Sequence, residues 1–244
     1  MNPADISIFI GTPHYGSVPA QTLGNTTLAS QRPMRIHAEG RLSSLITRNC
    51  NGLWCNALNY RQEKKLTHFV MLHSDIQPEN YWLDKLLDEH EQCGADVLSV
   101  VVPIKDGSGD LSTAVFNKET LHCNRVSIQQ LAKLPTTFGI ADLGDSTNRT
   151  LLVNTGLFIC NFDKPWVEEI VKVGRAPFCF TDEIVKLPNE RFEERNMPED
   201  WNFSIVCQAM GLKVMATRVV KVTHYGPHGW SNQPKEEPCT PSVT

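Results

Sequence analysis

The sequence predicts an α/β fold: an open, mixed but mainly parallel sheet flanked by helices. Two observations carry that expectation. Ile6-Ser7-Ile8-Phe9-Ile10, Phe69-Val70-Met71-Leu72 and Val97-Leu98-Ser99-Val100-Val101-Val102 are short apolar runs with little polar alternation, the pattern of strands buried on both faces. Between them lie stretches whose apolar residues recur at spacings of three and four, as on a helix with one buried face. Strand, helix, strand, helix, strand over residues 6 to 102 is the order of an open α/β sheet.

The first strand, Ile6 to Ile10, runs into Gly11-Thr12-Pro13-His14-Tyr15-Gly16, a turn whose free backbone groups could meet a nucleotide. Neither GxGxxG nor GxxxxGK[ST] is present, so there is no Rossmann fingerprint and no P-loop. The polar stretch from Pro19 to Ser30 fits either a helix or an irregular loop, and Met34 to His37 reads as a short second strand. After Gly40, Leu42, Leu45, Ile46, Asn49, Leu53 and Leu58 fall largely on one helical face. The charged run Arg61 to Lys65 is a solvated connection. The run Phe69 to Leu72 stops at His73-Ser74-Asp75, Pro78 breaks the chain, and a helix over 81–92 turns Trp82, Leu83, Leu86 and Leu87 inward before Gly94 ends it.

Residues 103 to 150 show little periodicity, and Lys105-Asp106-Gly107-Ser108-Gly109-Asp110 reads as a flexible loop. Leu151 to Cys160 is two apolar half-strands split by Asn154-Thr155-Gly156, where the glycine implies a bulge or a close backbone approach. A helix is expected over 165–173, mixed aromatics and acids over 177–188, and a charged exposed run over 189–196. Met197-Pro198-Glu199-Asp200-Trp201 opens a helix with Phe203, Val206, Cys207 and Met210 on one face and Gly211 as its stop. A strand over 213–222 and His224 close the folded part. With no repeat and no linker, residues 1–230 read as one domain and 231–244 as a disordered tail.

Composition narrows the class. A chain of 244 residues with 41% hydrophobic and 20% charged residues is an ordinary globular protein, and no apolar run approaches a membrane span. A net charge of −4 excludes a globally basic nucleic-acid binder while leaving a local basic groove open. The first residues lack a basic, apolar leader, so a cytoplasmic protein is expected. Eight cysteines without a CxxC pair read as buried reduced thiols.

Three features carry the chemistry: His73-Ser74-Asp75 at a strand end, Pro198-Glu199-Asp200-Trp201 at a helix start, and Thr223-His224-Tyr225-Gly226 beyond the next strand. Taken singly they read as a cap, a capping box and a partly buried histidine. Arg48 reads either as a solvated helix arginine or as a fork reaching a phosphate.

Taken with Thr12-Pro13, Ser44-Leu45-Ile46-Thr47-Arg48-Asn49, Asn154-Thr155-Gly156-Leu157-Phe158-Ile159 and Gly211-Leu212-Lys213-Val214, the order of these segments over residues 6 to 226 resembles the GT-A glycosyltransferases, particularly compact bacterial and phage enzymes related to the large inverting family. The resemblance implies a single-domain GT-A fold and transfer of a sugar from a nucleoside-diphosphate sugar, UDP-linked by expectation, to an acceptor hydroxyl. It implies Mn²⁺ or Mg²⁺ held by Asp75 and His224 with diphosphate oxygens. Thr12, Pro13 and His14 would line the base pocket, and Arg48 and Asn49 would approach the nucleotide. Asp200 would be the general base and Glu199 a sugar or acceptor contact, the reverse assignment and a retaining outcome staying open. Trp201 and Asn154-Thr155-Gly156 would wall the acceptor side. The usual motif is Asp-x-Asp, and His73 stands where its first Asp belongs, as a ligand, a ribose contact or a structural residue.

Two other classes fit the same residues. One is a metal-dependent hydrolase or phosphoesterase built on His73, Asp75 and His224; the other is a non-catalytic nucleotide-sugar-binding domain. The acceptor stays open among a glycan, a protein and a hydroxymethylated DNA base. Lys64, Lys65, Lys105, Lys118, Arg125, Lys133, Arg191 and Arg195 are scattered basic candidates for nucleic acid, without a dense patch.

Overall fold

The computed structural model describes residues 3–15, 20–172, 176–187, 189–226 and 229–232. The first part of the chain follows the expected order: β1 (Ser7–His14), α1 (Ala20–Thr27), β2 (Arg35–Leu42), α2 (Ile46–Tyr60), β3 (His68–Leu72), β4 (Ile76–Pro78), α3 (Trp82–Cys93) and β5 (Val97–Val100). The rest alternates short strands and helices: β6 (Asp110–Asn117), β7 (His122–Ser127), α4 (Ile128–Leu131), β8 (Thr137–Phe138), β9 (Arg149–Leu152), β10 (Leu157–Asn161) and α5 (Trp166–Lys172). It ends with β11 (Thr181–Lys186), β12 (Phe192–Met197), α6 (Glu199–Ala209), β13 (Val214–Thr217), β14 (Val222–Tyr225) and β15 (Gly229–Ser231).

Seven strands form the central sheet in the order β2-β1-β3-β10-β5-β13-β8. β1 pairs in parallel with β2 and β3, and β5 with β13, while β10 and β8 run against their neighbours. Strand alternation sorts the buried side chains onto two faces. Phe9, Phe69 and Phe158 meet Trp54 of α2, Trp166 of α5 and Phe203 of α6 on one face. Ile8, Val70 and Ile159 meet Trp82, Leu83 and Leu86 of α3 on the other. Trp54 is the hub of the first face: the Phe69 and Phe162 rings each lie 5.0 Å away, and its indole N–H donates to the Val167 carbonyl at 3.2 Å. The large mixed sheet with helices on both faces bears out the α/β expectation.

Three expectations need correction. Residues 103–150 are not mainly loop: β6 pairs with β7 and β9 in a three-stranded antiparallel sheet. The signal was weak because this sheet buries Thr113 and Ala114 beside Leu111, and β7 buries only Val126. Leu151 to Cys160 forms two separate strands on either side of Asn154-Thr155-Gly156, as expected, and these, β9 and β10, lie in different sheets. The charged stretch 181–197 is a two-stranded hairpin, β11 on β12, with Ile184 and Phe192 exposed. The strand expected over 213–222 splits: β13 joins the main sheet, and β14 forms a small sheet with β4 and β15.

The ordered part also passes residue 230. Asn232 is fully buried, donating to the carbonyls of Val101 and Val220 and accepting from the Val222 N–H. The expectation of a disordered tail over 233–244 lies outside the described residues, as does Cys239. The seven other cysteines are free; Cys50, Cys160 and Cys207 are buried and Cys55 is exposed. Among the described residues no helix is long and apolar enough to cross a membrane.

Candidate functional site

The site forms where β1 and β3 end at the same edge of the sheet. β4 starts one residue after Asp75 and pairs antiparallel with β14, setting His224 opposite Ile76. The Tyr225 N–H donates to the Asp75 carbonyl at 2.8 Å, so backbone pairing alone brings His224 to Asp75. His224 Nδ1 lies 2.7 Å from the Pro103 carbonyl, which can only accept, so that nitrogen donates. His224 Nε2 is thereby aimed at Asp75 Oδ2, 3.4 Å away. The same oxygen receives Lys105 Nζ at 2.6 Å. Burial pushes the Asp75 carboxyl up, but the His224 and Lys105 hydrogen bonds and the nearby His73 outweigh it and hold the group well below the usual carboxylate range.

His73 turns its Nε2 to Thr155 Oγ1 at 3.5 Å, and its N–H donates to the Gly156 carbonyl at 2.8 Å. Burial pushes its imidazole down to about 4 despite the charge of Asp75, so it is neutral at physiological pH. Pro13, His14, Asn49, Ser43 and the His73-Ser74-Asp75 stretch line an open cleft of about 330 Å³ at the start of α2, within the range of small-molecule sites. Asn49 donates to the carbonyls of His14 and Ser43 at 3.1 and 3.2 Å, fixing the end of β1. Its Oδ1 and His14 Nδ1 are buried without a hydrogen-bond partner beside the cleft. Arg48 is exposed on α2, and neither it nor Thr12 lines this cleft.

The second half of the site is the start of α6. Glu199 and Asp200 occupy its first turn behind Pro198, where the helix dipole favours negative charge. Burial raises both carboxyls, and the neighbouring Glu199 charge helps push Asp200 up to about 7. Asp200 Oδ1 accepts from the Trp201 N–H at 2.8 Å. Trp201 donates its indole N–H to the Ser112 carbonyl at 3.0 Å, and the Arg125 guanidinium lies 4.8 Å over its ring. Trp201 also lines a second cleft of about 390 Å³ with Phe116, Cys123 and the β12 side chains Asn196 and Met197.

A buried segment joins the halves. Ser204 Oγ of α6 accepts from the Val153 N–H, and its own O–H lies within reach of the carbonyls of Val153 and Asp200. Asn154 donates to the Val100 carbonyl and accepts from the Gly156 N–H, so both ends of its amide are used inside the protein. The acceptor-wall role expected of Asn154 therefore has no free group to act through. Thr155 is 1% exposed and faces His73. A Cβ on Gly156 would sit 3.0 Å from Asn154 Oδ1 and 3.4 Å from Ile76 Cγ1, so the close approach implied by the glycine is there. Burial, with the charges of Glu199 and Asp200, also raises the thiol of Cys50, next to Asn49 in α2.

As a resident divalent-cation site the set is short of donors. Asp75 is the one carboxylate, Lys105 already neutralises its facing oxygen, and His73 replaces a second carboxylate with a neutral ring. Among the described residues no group of three His, Cys, Asp or Glu side chains is arranged to hold a metal. The same shortage counts against the two-ion hydrolase alternative. Sequence reasoning named Lys105 and Arg125 only as scattered basic residues and missed the pairing of Lys105 with Asp75 and of Arg125 with Trp201. Periodicity holds no trace of either, because both depend on pairings between distant strands. The other basic candidates do not gather: Lys64 pairs with Glu63 and Arg195 with Glu193.

No family model matches the chain, and no curated protein sequence matches it. Among solved structures, A197 from STIV resembles it with a TM-score of 0.52 at 14% identity, over 91% of this chain and 86% of that one. At that identity the likeness is one of fold.

Proposed function

We propose that this chain is a GT-A-type glycosyltransferase that moves a sugar from a nucleoside-diphosphate sugar to an acceptor hydroxyl. The reading is supported by two features: the charged Asp75–His224–Lys105 cluster beside a cleft, and the Asp200 carboxyl at the start of α6, pushed up to about 7. The cleft offers a diphosphate the first turn of α2, where unpaired N–H groups and the helix dipole favour an anion.

Asp200 is the group suited to take the acceptor proton. A base works best with a pKa near the operating pH, and burial with Glu199 brings Asp200 there. As the acceptor oxygen bonds to the anomeric carbon, the bond from that carbon to the diphosphate breaks and the nucleoside diphosphate leaves. The proton passes to Asp200. Trp201, clamped by Ser112 and covered by Arg125, lies next to that carboxyl and suits the wall against which an acceptor rests. Glycan, peptide and hydroxymethylated-DNA acceptors are the arms of the assay.

The test is release of the nucleoside diphosphate from a panel of UDP-, GDP- and ADP-sugars with each acceptor. Asp200→Asn should lower turnover by about 10²- to 10⁴-fold, the usual contribution of a positioned base, while donor affinity stays within about twofold. Normal turnover in Asp200→Asn would remove the base from the reading. No turnover and no binding of any sugar nucleotide would remove the reading itself.

A further inference from the structure

We infer that Lys105 supplies the positive charge which the diphosphate meets at Asp75, so that the nucleoside diphosphate binds without a divalent ion. The inference rests on the glycosyltransferase reading of the cleft and names the residue that would do a metal's work in it.

Three observations place Lys105 in that position. Its ammonium lies 2.6 Å from Asp75 Oδ2, the oxygen that also faces His224 Nε2 at 3.4 Å. The ammonium and the imidazole share one carboxylate oxygen, the oxygen a metal would take, so the lysine brings its positive charge to the place where a metal would carry it. Second, the lysine is carried by a braced segment. Pro103 bridges to Leu111, the Ile104 N–H donates to the Asp110 carbonyl at 3.0 Å, and the Ser112 N–H donates to the Val102 carbonyl at 2.8 Å. His224 grips the Pro103 carbonyl two residues before the lysine. The strand pairing that delivers His224 to Asp75 therefore delivers Lys105 as well. Third, the charge count suits a lysine. With His73 in place of a second acid, Asp75 is the only carboxylate of the His73-Ser74-Asp75 stretch, and the Lys105 ammonium is paired with it.

A divalent ion in this class of reaction offsets charge building on the leaving diphosphate, and a positioned ammonium offsets the same charge as a point cation. In the free protein Asp75 holds the ammonium. In the complex Lys105 Nζ, with three donors, keeps Asp75 and gives a donor to a phosphate oxygen. No bond is made or broken by this contact; its work is electrostatic.

Titration calorimetry of the full chain with uridine, guanosine, adenosine and cytidine 5′-diphosphates, in excess EDTA and again with Mn²⁺, tests the inference. At least one diphosphate is expected to bind in EDTA, with Mn²⁺ changing its Kd less than about threefold. Lys105→Met should weaken that binding by about tenfold or more, while Lys105→Arg should restore most of it. As a half-exposed ion pair on a loop, Lys105 contributes little to folding, so the Tm of Lys105→Met should match the wild type. Binding that needs Mn²⁺, or binding in EDTA that Lys105→Met leaves unchanged, overturns the inference and leaves the transferase reading standing. Failure of every diphosphate under both conditions overturns both.

Discussion

Asp200→Asn is expected to stabilise the fold above neutral pH while it removes activity. Burial and the Glu199 charge lift the Asp200 carboxyl from the ordinary 3.8 to about 7. A group whose pKa is raised by folding gives its full contribution below its unfolded value and loses it as pH rises through the folded one. The window is therefore about pH 4 to 7, and above it the ionised carboxylate strains the fold. At about 1.4 kcal/mol for each pH unit between the two values, the ceiling is about 4 kcal/mol. The first-turn position of α6 returns about 0.3–1 kcal/mol to the charged form through the helix dipole, which Asn forgoes. Relaxation around the charge and partial access to water take a further share.

Asparagine is nearly isosteric, and its Oδ1 can keep the hydrogen bond from the Trp201 N–H. The net expectation is a variant more stable than wild type by about 1–3 kcal/mol at pH 8.5, with the gap closing towards pH 5. Urea unfolding at both pH values, followed by tryptophan fluorescence, gives the two free energies. A variant equal to or less stable than wild type at pH 8.5 would refute the claim that Asp200 is held in a strained, proton-seeking state, and with it the physical basis for calling it a base.

Two other substitutions test different parts of the structure. Trp54→Ala empties the centre of the aromatic cluster formed with Phe69, Phe162, Phe178 and Phe203. It should lower stability by about 3–5 kcal/mol in urea unfolding, or leave no folded protein at 37 °C; a loss below about 1 kcal/mol would mean the cluster is not the core of that face. His73→Asp restores the second acid of the motif beside Asp75. Without metal it should destabilise by about 1–3 kcal/mol through like charges in a half-buried place. It should also confer a Mn²⁺-dependent rise in Tm that the wild type lacks, and an equal response in both proteins would assign metal binding to Asp75 and His224 alone.

The sequence spoke clearly where one segment carries its own signal. β1, β3 and β5 are short, largely apolar runs buried on both faces, and α3 places its apolar residues on one side, so the α/β class was readable. The antiparallel sheet of β6, β7 and β9 was hidden because its strands mix Thr, Ala and Ser with apolar residues, and only pairing reveals which are buried. For the site, Asp75, His224 and Asp200 were legible as residue types at the ends of elements. Their spacing was not, because 149 positions separate Asp75 from His224 and only the register of β4 against β14 joins them. Lys105 was illegible for the same reason. Asn154 looked like a polar group awaiting a ligand, and no local pattern shows that both ends of its amide are spent on backbone.

The four residues Val153 to Gly156 pass directly from one sheet to another with no loop between β9 and β10, and all four are buried. A joint of this kind behaves as a strut. It is bonded to α6 through Ser204 at one end and to His73 at the other, so the helix start and the strand end cannot slide past each other without breaking several buried hydrogen bonds together. Opening there requires loss of the core, which assigns these amides to the slowest class of hydrogen exchange. Whatever closes over a bound ligand must therefore come from the periphery, while the distance between the helix start and the strand end stays fixed.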